Sequence, residues 1–271
     1  MHISILACGW LGQPLALQLQ DAGHTVMATC RSAAKQQELQ DLGIRTELYN
    51  LGDNLNSDAL NAVLQAEVLV LNIPPGGRHI QADFYCAQMC NLVEQARQSG
   101  TQKLLFISTT AVYGDADGEM TEQSPCLATT PSALAHQQIE QRVQDVFGNH
   151  GAVLRLAGLV GQKRHPAHYL AGKTALSEPL HAVNLIHQYD VIQAIQAILR
   201  LPHLGQVFHL AAHEHPTRET YYQWACDQLG LPRPSFEHSL ASTGGKRINA
   251  SWTCDKLGLQ LRYPSPYDML K

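Results

Sequence analysis

Short apolar runs alternate with amphipathic segments along most of the chain. Residues 3–7 form an apolar run that ends at glycine, and Leu11, Leu15 and Leu19 then recur at helical spacing. The predicted strands are 3–7, 24–31, 46–51, 67–73, 104–107, 152–156 and 207–210. Helical patterns separate most of these strands. This alternation predicts right-handed crossovers and an α/β protein with a mostly parallel, doubly wound sheet of the Rossmann type.

Two regions do not follow the alternation and predict a second, smaller lobe. The fourth strand contains an unbroken Val-Leu-Val-Leu run, typical of a parallel strand covered on both faces, and Pro-Pro-Gly-Gly at 74–77 ends it. We expect residues 1–160 and 185–211 to form a nucleotide-binding Rossmann domain. Residues 161–184 and 212–271 would then form a small substrate-binding lobe over the carboxyl ends of the strands.

The turn after the first strand has the composition of a dinucleotide-binding loop. A pyrophosphate needs a backbone that it can approach closely and a helix N-terminus that receives its charge. The segment reads Ala-Cys-Gly-Trp-Leu-Gly, with alanine where G-x-G-x-x-G has its first glycine. We predict a nicotinamide cofactor here; the alternative is a tight turn that only packs helix on strand. The expected contacts are Gly9, Trp10, Leu11 and Gly12, with Ile73 and Pro74 at the end of the fourth strand.

The end of the second strand favours NADP over NAD. An acidic side chain about twenty residues after the motif would receive the ribose hydroxyls of NAD. This chain instead has Arg31 and Ser32 there, and a guanidinium can hold the 2′-phosphate of NADP with paired hydrogen bonds. The alternative is that Arg31 is a solvated side chain at a helix start.

Composition and charge exclude some classes of binding partner. The chain has 19 basic and 23 acidic residues, a formal charge of -4, and no run of Lys or Arg, so nucleic acid is not expected. No apolar stretch approaches the roughly 20 residues of a membrane span, and the start lacks a signal-peptide layout. Seven scattered cysteines suit a reducing compartment and are interpreted as buried thiols. We expect a cytoplasmic protein without a metal site; the sequence carries no signal of oligomeric state.

Four further segments carry a family resemblance. They are 108–114 (Ser-Thr-Thr-Ala-Val-Tyr-Gly), 155–161 (Arg-Leu-Ala-Gly-Leu-Val-Gly), 184–191 (Asn-Leu-Ile-His-Gln-Tyr-Asp-Val) and 245–248 (Gly-Lys-Arg-Ile). With the glycine turn, they resemble the extended short-chain dehydrogenases/reductases, in particular an atypical, nucleoside-diphosphate-sugar epimerase-like branch of the NAD-dependent epimerase/dehydratase family. The resemblance implies a Rossmann fold, a nicotinamide cofactor, and hydride transfer at an alcohol or ketone carbon of a small-molecule substrate such as a nucleotide sugar.

The resemblance places a substrate-binding hydroxyl at Thr109, which could polarise a carbonyl or orient an alcohol. The alternative is a strand-end hydroxyl that satisfies a loop amide. The family's Tyr-x-x-x-Lys pair is missing, because the two places fall on Ser132 and His136. His136 could act as an acid or base, although a histidine on the polar side of a helix is more often solvated.

Two other residues are candidates for the missing acid–base group. Tyr113 could replace the lost phenol or could pack under its loop, and His187 could act as a base where the two lobes are expected to meet. Lys246 and Arg247 could neutralise a substrate phosphate, or could simply face solvent. Two functions therefore stay open: an NADP-preferring oxidoreductase or epimerase, and a cofactor-binding sensor that has lost catalysis.

Overall fold

The computed structural model describes residues 1–76, 81–238 and 243–270, so Gly77 of the predicted strand-ending segment lies outside the described residues. The strands are β1 His2–Leu6, β2 Thr25–Cys30, β3 Arg45–Leu48, β4 Val68–Leu71, β5 Lys103–Thr109, β6 Gly118–Met120, β7 Gly151–Leu156, β8 Gly158–Val160, β9 Leu185–His187, β10 Val207–Leu210 and β11 Lys246–Ile248. The helices are α1 Gly12–Asp21, α2 Ala33–Asp41, α3 Asp58–Leu64, α4 Ala82–Gln98, α5 Pro131–Phe147, α6 Ala167–Leu170, α7 Gln188–Leu199, α8 Arg218–Gln228 and α9 Ser251–Leu257.

Seven strands form one sheet in the order β10-β7-β5-β4-β1-β2-β3. β1 pairs in parallel with β2 and β4, β2 with β3, and β4 with β5. All four residues of β4 are buried, as expected for a strand covered on both faces. The predicted seven-stranded Rossmann-type α/β fold is confirmed.

Side-chain caps explain where several helices begin. Ser32, Ser57 and Thr130 each accept a hydrogen bond from the backbone N–H three residues later, at the starts of α2, α3 and α5. Pro131 occupies the first turn of α5, where its missing N–H breaks no intrahelical bond. Thr130 followed by Pro131 is a sequence pattern typical of a helix start.

The chain divides into two compact units. Unit 1 comprises Met1–Thr109, Thr130–Leu154 and Ile195–Phe208, and unit 2 comprises Thr110–Thr129, Arg155–Ala194 and His209–Lys271. In unit 1, α3, α4 and α5 pack on the sheet through an apolar core that includes Met89, Phe106 and Ile139. Unit 2 has its own core around Tyr221, Tyr222 and Cys226 of α8. The functional division into a cofactor domain and a substrate lobe stays a prediction.

Unit 2 also contains two small parallel pairs, which the sequence did not predict. β6 pairs with β11, and β8 pairs with β9. Asn184 supports the first pair, because its side chain donates to the Lys246 carbonyl and accepts from the Ile248 amide. Within the described parts of the chain, no helix combines the length and the apolar character that crossing a bilayer would require.

Candidate functional site

The glycine turn after β1 is held by the neighbouring strands. The Cys8 amide donates to the Thr29 carbonyl at 2.7 Å, and the Ala7 amide donates to the Thr29 hydroxyl at 3.0 Å. Asn72 follows β4 and donates through its side-chain amide to the Ala7 carbonyl at 3.3 Å. Ala7 itself lies in the left-handed region with φ 70°, which glycine adopts without strain and alanine does not. The turn is thus fixed from both sides at the carboxyl edge of the sheet.

The two glycines of the turn are needed for different reasons. A Cβ added at Gly12 would lie 2.8 Å from the Ala7 carbonyl oxygen, so Gly12 allows α1 to approach the turn closely. A Cβ added at Gly9 would meet no atom of the described residues within 4 Å. Gly9 therefore leaves open space beside the backbone at the start of a ten-residue helix whose N-cap, Leu11, makes no side-chain cap. These features fit a dinucleotide pyrophosphate, which needs close backbone approach and a helix N-terminus.

The end of β2 presents positive charge. Arg31 and Ser32 are both exposed, and Ser32 uses its hydroxyl to cap α2. Lys35, one turn into α2, donates to Gln13 of α1 at 2.6 Å and to Glu38 at 2.8 Å. Sequence reasoning missed Lys35, although a cation four residues after Arg31 was a readable signal. The segment after β2 therefore carries Arg31 and an ion pair between Lys35 and Glu38.

The end of β4 lies beside the turn. The Tyr85 hydroxyl of α4 donates to the Ile73 carbonyl at 2.9 Å, and Asn72 is bound to Ala7 as described. Ile73 is half-buried and Pro74 is exposed. Both predicted residues thus follow β4 at the same edge as the glycine turn, but their contact with a cofactor stays a prediction.

Thr109 and His136 belong to unit 1. Thr109 is the half-buried last residue of β5. His136 lies on the buried side of α5 with 5% of its surface exposed, so the expectation that it would be solvated on a polar face was wrong. Its ring packs between Phe106 and Tyr85, with centroids 5.8 and 5.7 Å away. This burial lowers the pKa of His136, which favours the neutral imidazole.

Tyr113 is fully buried in unit 2 within a hydrogen-bond network. Its hydroxyl lies 2.8 Å from His209 Nδ1 and accepts from Arg155 Nη1 at 3.2 Å. His209 Nε2 donates to the Asn249 carbonyl at 2.7 Å, which leaves Nδ1 of the neutral ring to accept from Tyr113. Burial raises the pKa of Tyr113 to about 12. This environment favours the packing interpretation of Tyr113 over a role as the replacement phenol.

His187 is half-buried at the end of β9 in unit 2. Its ring lies against Tyr263, with centroids 3.9 Å apart, and its Nδ1 accepts from the Tyr189 amide at 3.1 Å. Burial, together with the positive charge of Arg262, lowers the pKa of His187. The neutral ring therefore carries its proton on Nε2, which makes it a donor rather than a ready base.

The two predicted phosphate-binding residues differ in environment. Lys246 is half-buried, donates to the Gly114 carbonyl, and has its pKa lowered by burial. Arg247 is exposed on β11. The Lys246 ammonium group is thus bound to the loop that follows Tyr113, whereas the Arg247 side chain faces solvent.

The cysteines and histidines do not assemble a metal centre in the part of the chain that the structure describes, since no group of three or more His, Cys, Asp or Glu side chains is arranged to hold an ion. All seven cysteines are free thiols. Five are buried, whereas Cys90 and Cys126 are only half-buried, so the interpretation of all seven as buried thiols was wrong for these two.

A parallel doubly wound sheet with a glycine turn after its first strand defines a Rossmann-like α/β protein. The chain belongs to the NAD dependent epimerase/dehydratase family, whose model matches residues 7–209. The chain is 36% identical to "Protein YeeZ" of Escherichia coli strain K12 over 269 residues, which cover 98% of each chain.

Solved structures of similar fold include nucleotide-sugar epimerases. The UDP-glucose 4-epimerase of Thermotoga maritima, solved with UDP-glucose, matches with a TM-score of 0.80 at 14% identity and covers 100% of this chain and 96% of that one. The UDP-glucuronic acid 4-epimerase of Bacillus cereus, solved with NAD, has a TM-score of 0.78 at 18% identity, with the same coverage. These likenesses confirm the fold.

Proposed function

We propose that this protein is an NAD(P)-dependent oxidoreductase or epimerase that moves a hydride between the nicotinamide and an alcohol or ketone carbon of a nucleotide sugar. Residues 1–160 and 185–211 hold the cofactor in this proposal, and residues 161–184 and 212–271 bind the substrate. The substrate class is suggested by the relatives of the same fold that were solved with UDP-sugars. The odd number of cysteines without a framework spacing supports a cytoplasmic location.

The glycine turn carries this proposal. Three features support pyrophosphate binding: the left-handed Ala7, the close approach of Gly12, and the open space at Gly9. A turn that served only to pack α1 on β1 would need Gly12 but would not need a bare backbone at Gly9. We therefore assign cofactor contacts to Gly9, Trp10, Leu11 and Gly12.

NADP is the preferred cofactor in this proposal. Arg31 is exposed after β2, and the residues that flank it, Cys30 and Ser32, bring no carboxylate that would repel a 2′-phosphate. Lys35 lies four residues further on, but its charge is balanced by the ion pair with Glu38, so the preference depends on Arg31. Arg31→Ala should weaken NADPH binding by about tenfold, equivalent to roughly 1.4 kcal/mol, and should leave NADH binding unchanged. Equal losses for both cofactors would contradict the preference.

A bound nicotinamide cofactor would accept or donate the hydride. The side chains of the protein orient the substrate and transfer the proton of its hydroxyl group. We assign the substrate-orienting hydroxyl to Thr109. We assign the acid–base role to His136, because its Nδ1 donates to the Ser132 carbonyl at 2.8 Å and the Nε2 lone pair of the neutral ring can accept a proton. Arg247 is the candidate for a substrate phosphate. His187, which could donate a proton from Nε2, is the second candidate for the acid–base role, and Lys246 is the second candidate for the phosphate.

A cofactor-binding sensor is the second candidate function. Ser132 and His136 occupy the places of the family's Tyr and Lys, and the hydroxyl of Tyr113 is enclosed by Arg155 and His209. No phenol among these residues stands ready to replace the missing one. The sensor would bind NADPH tightly and would turn over no substrate.

Binding and turnover assays separate these functions. Fluorescence titration with NADH and NADPH should show binding to the wild type. Gly9→Ala should reduce affinity by about tenfold or more at an unchanged unfolding temperature, because its Cβ meets no atom in the part of the chain that the structure describes. The matched control is Gly244→Ala, whose Cβ would meet, among residues 1–76, 81–238 and 243–270, only Arg247 Nη1 at 3.9 Å. Its affinity should not change.

Carbonyl compounds and nucleotide sugars are then screened for cofactor oxidation. Turnover that Thr109→Val abolishes supports the enzyme, and tight binding without turnover supports the sensor. No affinity of the wild type for either cofactor would overturn both functions.

A further inference from the structure

A buried carboxylate lies one helical turn beyond His136. Glu140 of α5 has 5% of its surface exposed, and it accepts a hydrogen bond from the Ser108 hydroxyl of β5 at 2.5 Å. Ser108 is equally buried. Removing a carboxylate from water is costly unless nearby groups favour its charged form. The position of Glu140 on the core side of α5 therefore requires a physical reason.

Among the described residues, two aromatic side chains and a backbone carbonyl lie against the His136 ring. Tyr85 of α4 and Phe106 of β5 pack on its ring, and the Ser132 carbonyl fixes Nδ1 as a donor. Burial raises the pKa of Tyr85, so this phenol stays neutral. Burial has the largest effect and lowers the pKa of His136, whereas the hydrogen bond to the Ser132 carbonyl and then the negative charge of Glu140 raise it.

These contacts explain how a buried imidazole could take up a proton. An imidazolium enclosed by aromatic rings is unfavourable without a nearby negative charge. Side chains four residues apart on a helix are neighbours, and attraction between opposite charges is strong where water is excluded. Ser108 holds the carboxylate from the opposite element, so its orientation does not depend on α5 alone.

We propose that Glu140 is a positioning residue for the proton transfer assigned to His136: its carboxylate, held by Ser108, stabilises the imidazolium that forms when His136 accepts a proton. The proposal rests on the proposed function. If a substrate alcohol were oxidised, its O–H bond would break and the proton would form an N–H bond at His136 Nε2, while the carbon that bears this oxygen would give up a hydride to the oxidised nicotinamide. In the reverse direction the imidazolium returns its proton to the oxygen. Glu140 exchanges no proton in either direction.

The test is a pH titration of the His136 ring by nitrogen-15 NMR, with the resonance assigned by its loss in His136→Gln. Glu140→Gln keeps the oxygen that accepts from Ser108 but removes the charge. We expect it to lower the His136 pKa by about one unit, equivalent to a tenfold change in proton affinity. Glu94→Gln is the matched control, because Glu94 is a partly exposed residue of α4 that pairs with Arg142. It should leave the titration of His136 unchanged.

If the hydrogen bond between Glu140 and Ser108 only holds α5 against β5, a different result is expected. The neutral glutamine preserves the Ser108 hydrogen bond, so the His136 pKa in Glu140→Gln would equal that in Glu94→Gln. This outcome would overturn the proposal. If Glu140→Gln does not fold, Glu140→Asp keeps the charge but retracts it by one methylene group. It should then lower the His136 pKa by about half as much, and an unchanged or raised pKa would overturn the proposal.

Measurements of turnover distinguish a failure of this proposal from a failure of the proposed function on which it rests. For any substrate that the wild type oxidises, Glu140→Gln should move the acidic limb of the pH–rate profile down by the same shift as the NMR titration. Turnover with an unmoved profile would refute the role of Glu140 while leaving the proposed function intact. A wild type that binds no cofactor would refute the proposed function, whereas the NMR titration would still report the coupling of the two side chains.

Discussion

The stability of the Ala7→Gly variant tests whether the cofactor turn holds Ala7 in a strained backbone conformation. Ala7 has φ 70°, where the Cβ of an L-residue costs about 1–2 kcal/mol and glycine has no such cost. The same change increases the conformational entropy of the unfolded chain, which destabilises the native state by about 0.4–1 kcal/mol. The strain relief exceeds the entropic loss, so we expect Ala7→Gly to stabilise the protein by about 1 kcal/mol.

Urea denaturation at equilibrium measures this change, with the unfolding temperature as a second observable. A gain of this size raises the midpoint temperature by on the order of 2 °C and leaves the denaturant slope unchanged. Ala175→Gly is a positive control, because Ala175 also has a positive φ of 54°. Ala22→Gly is a negative control at φ -79°, and should destabilise by about 0.4–1 kcal/mol.

Strain at Ala7 is refuted if Ala7→Gly lowers the free energy of unfolding as much as Ala22→Gly does. Such a result would mean that the left-handed conformation at Ala7 stores no strain. NADPH affinity should be kept or improved in Ala7→Gly, because glycine preserves the backbone conformation of the turn. A loss of affinity without loss of stability would show that the Ala7 methyl group itself contributes to binding.

Three further predictions concern stability. Gly12→Ala should destabilise the protein by about 1–3 kcal/mol, because its Cβ would lie 2.8 Å from a carbonyl oxygen, and urea denaturation would detect this. Tyr113→Phe removes the hydroxyl bound to His209 and should cost about 1–3 kcal/mol by the same measurement; an unchanged midpoint would refute the network. Burial lowers the pKa of His165 to about 4. The unfolded chain, in which histidine titrates near 6.5, therefore binds more protons, and stability should fall as pH drops from 6.5 to 4. His165→Asn should flatten this dependence.

Local patterns explain which elements were predictable. β4 is an unbroken apolar run, and α5 begins with a cap and a proline, so both could be recognised without knowledge of distant contacts. α3 was missed because it has seven residues, of which only three are buried. β6 and β8 have three residues each and pair with distant segments. Nothing in so short a stretch indicates its partner.

The candidate site was predictable where backbone conformation restricts residue type. Gly12 could be recognised because few other residues allow such close packing after a strand. His136 and Glu140 were harder, because a polar residue beside an apolar stripe resembles a solvent-facing one. The buried face of α5 is wider than the apolar stripe of Ala135, Ile139 and Val143. β5 supplies Ser108 as a partner for Glu140. That partner is distant in sequence and becomes visible only in the folded chain.

Unit 2 is assembled from three separated stretches of chain, and this arrangement affects its synthesis. β6 belongs to the first stretch, whereas its partner β11 belongs to the last. At about 5–20 residues per second, a ribosome needs on the order of 10 s to make the intervening chain. During that interval β6 has not yet met β11, and its backbone groups can pair with other extended segments. The nascent protein is therefore expected to need chaperone protection late in translation, and truncation before β11 should yield an aggregation-prone product.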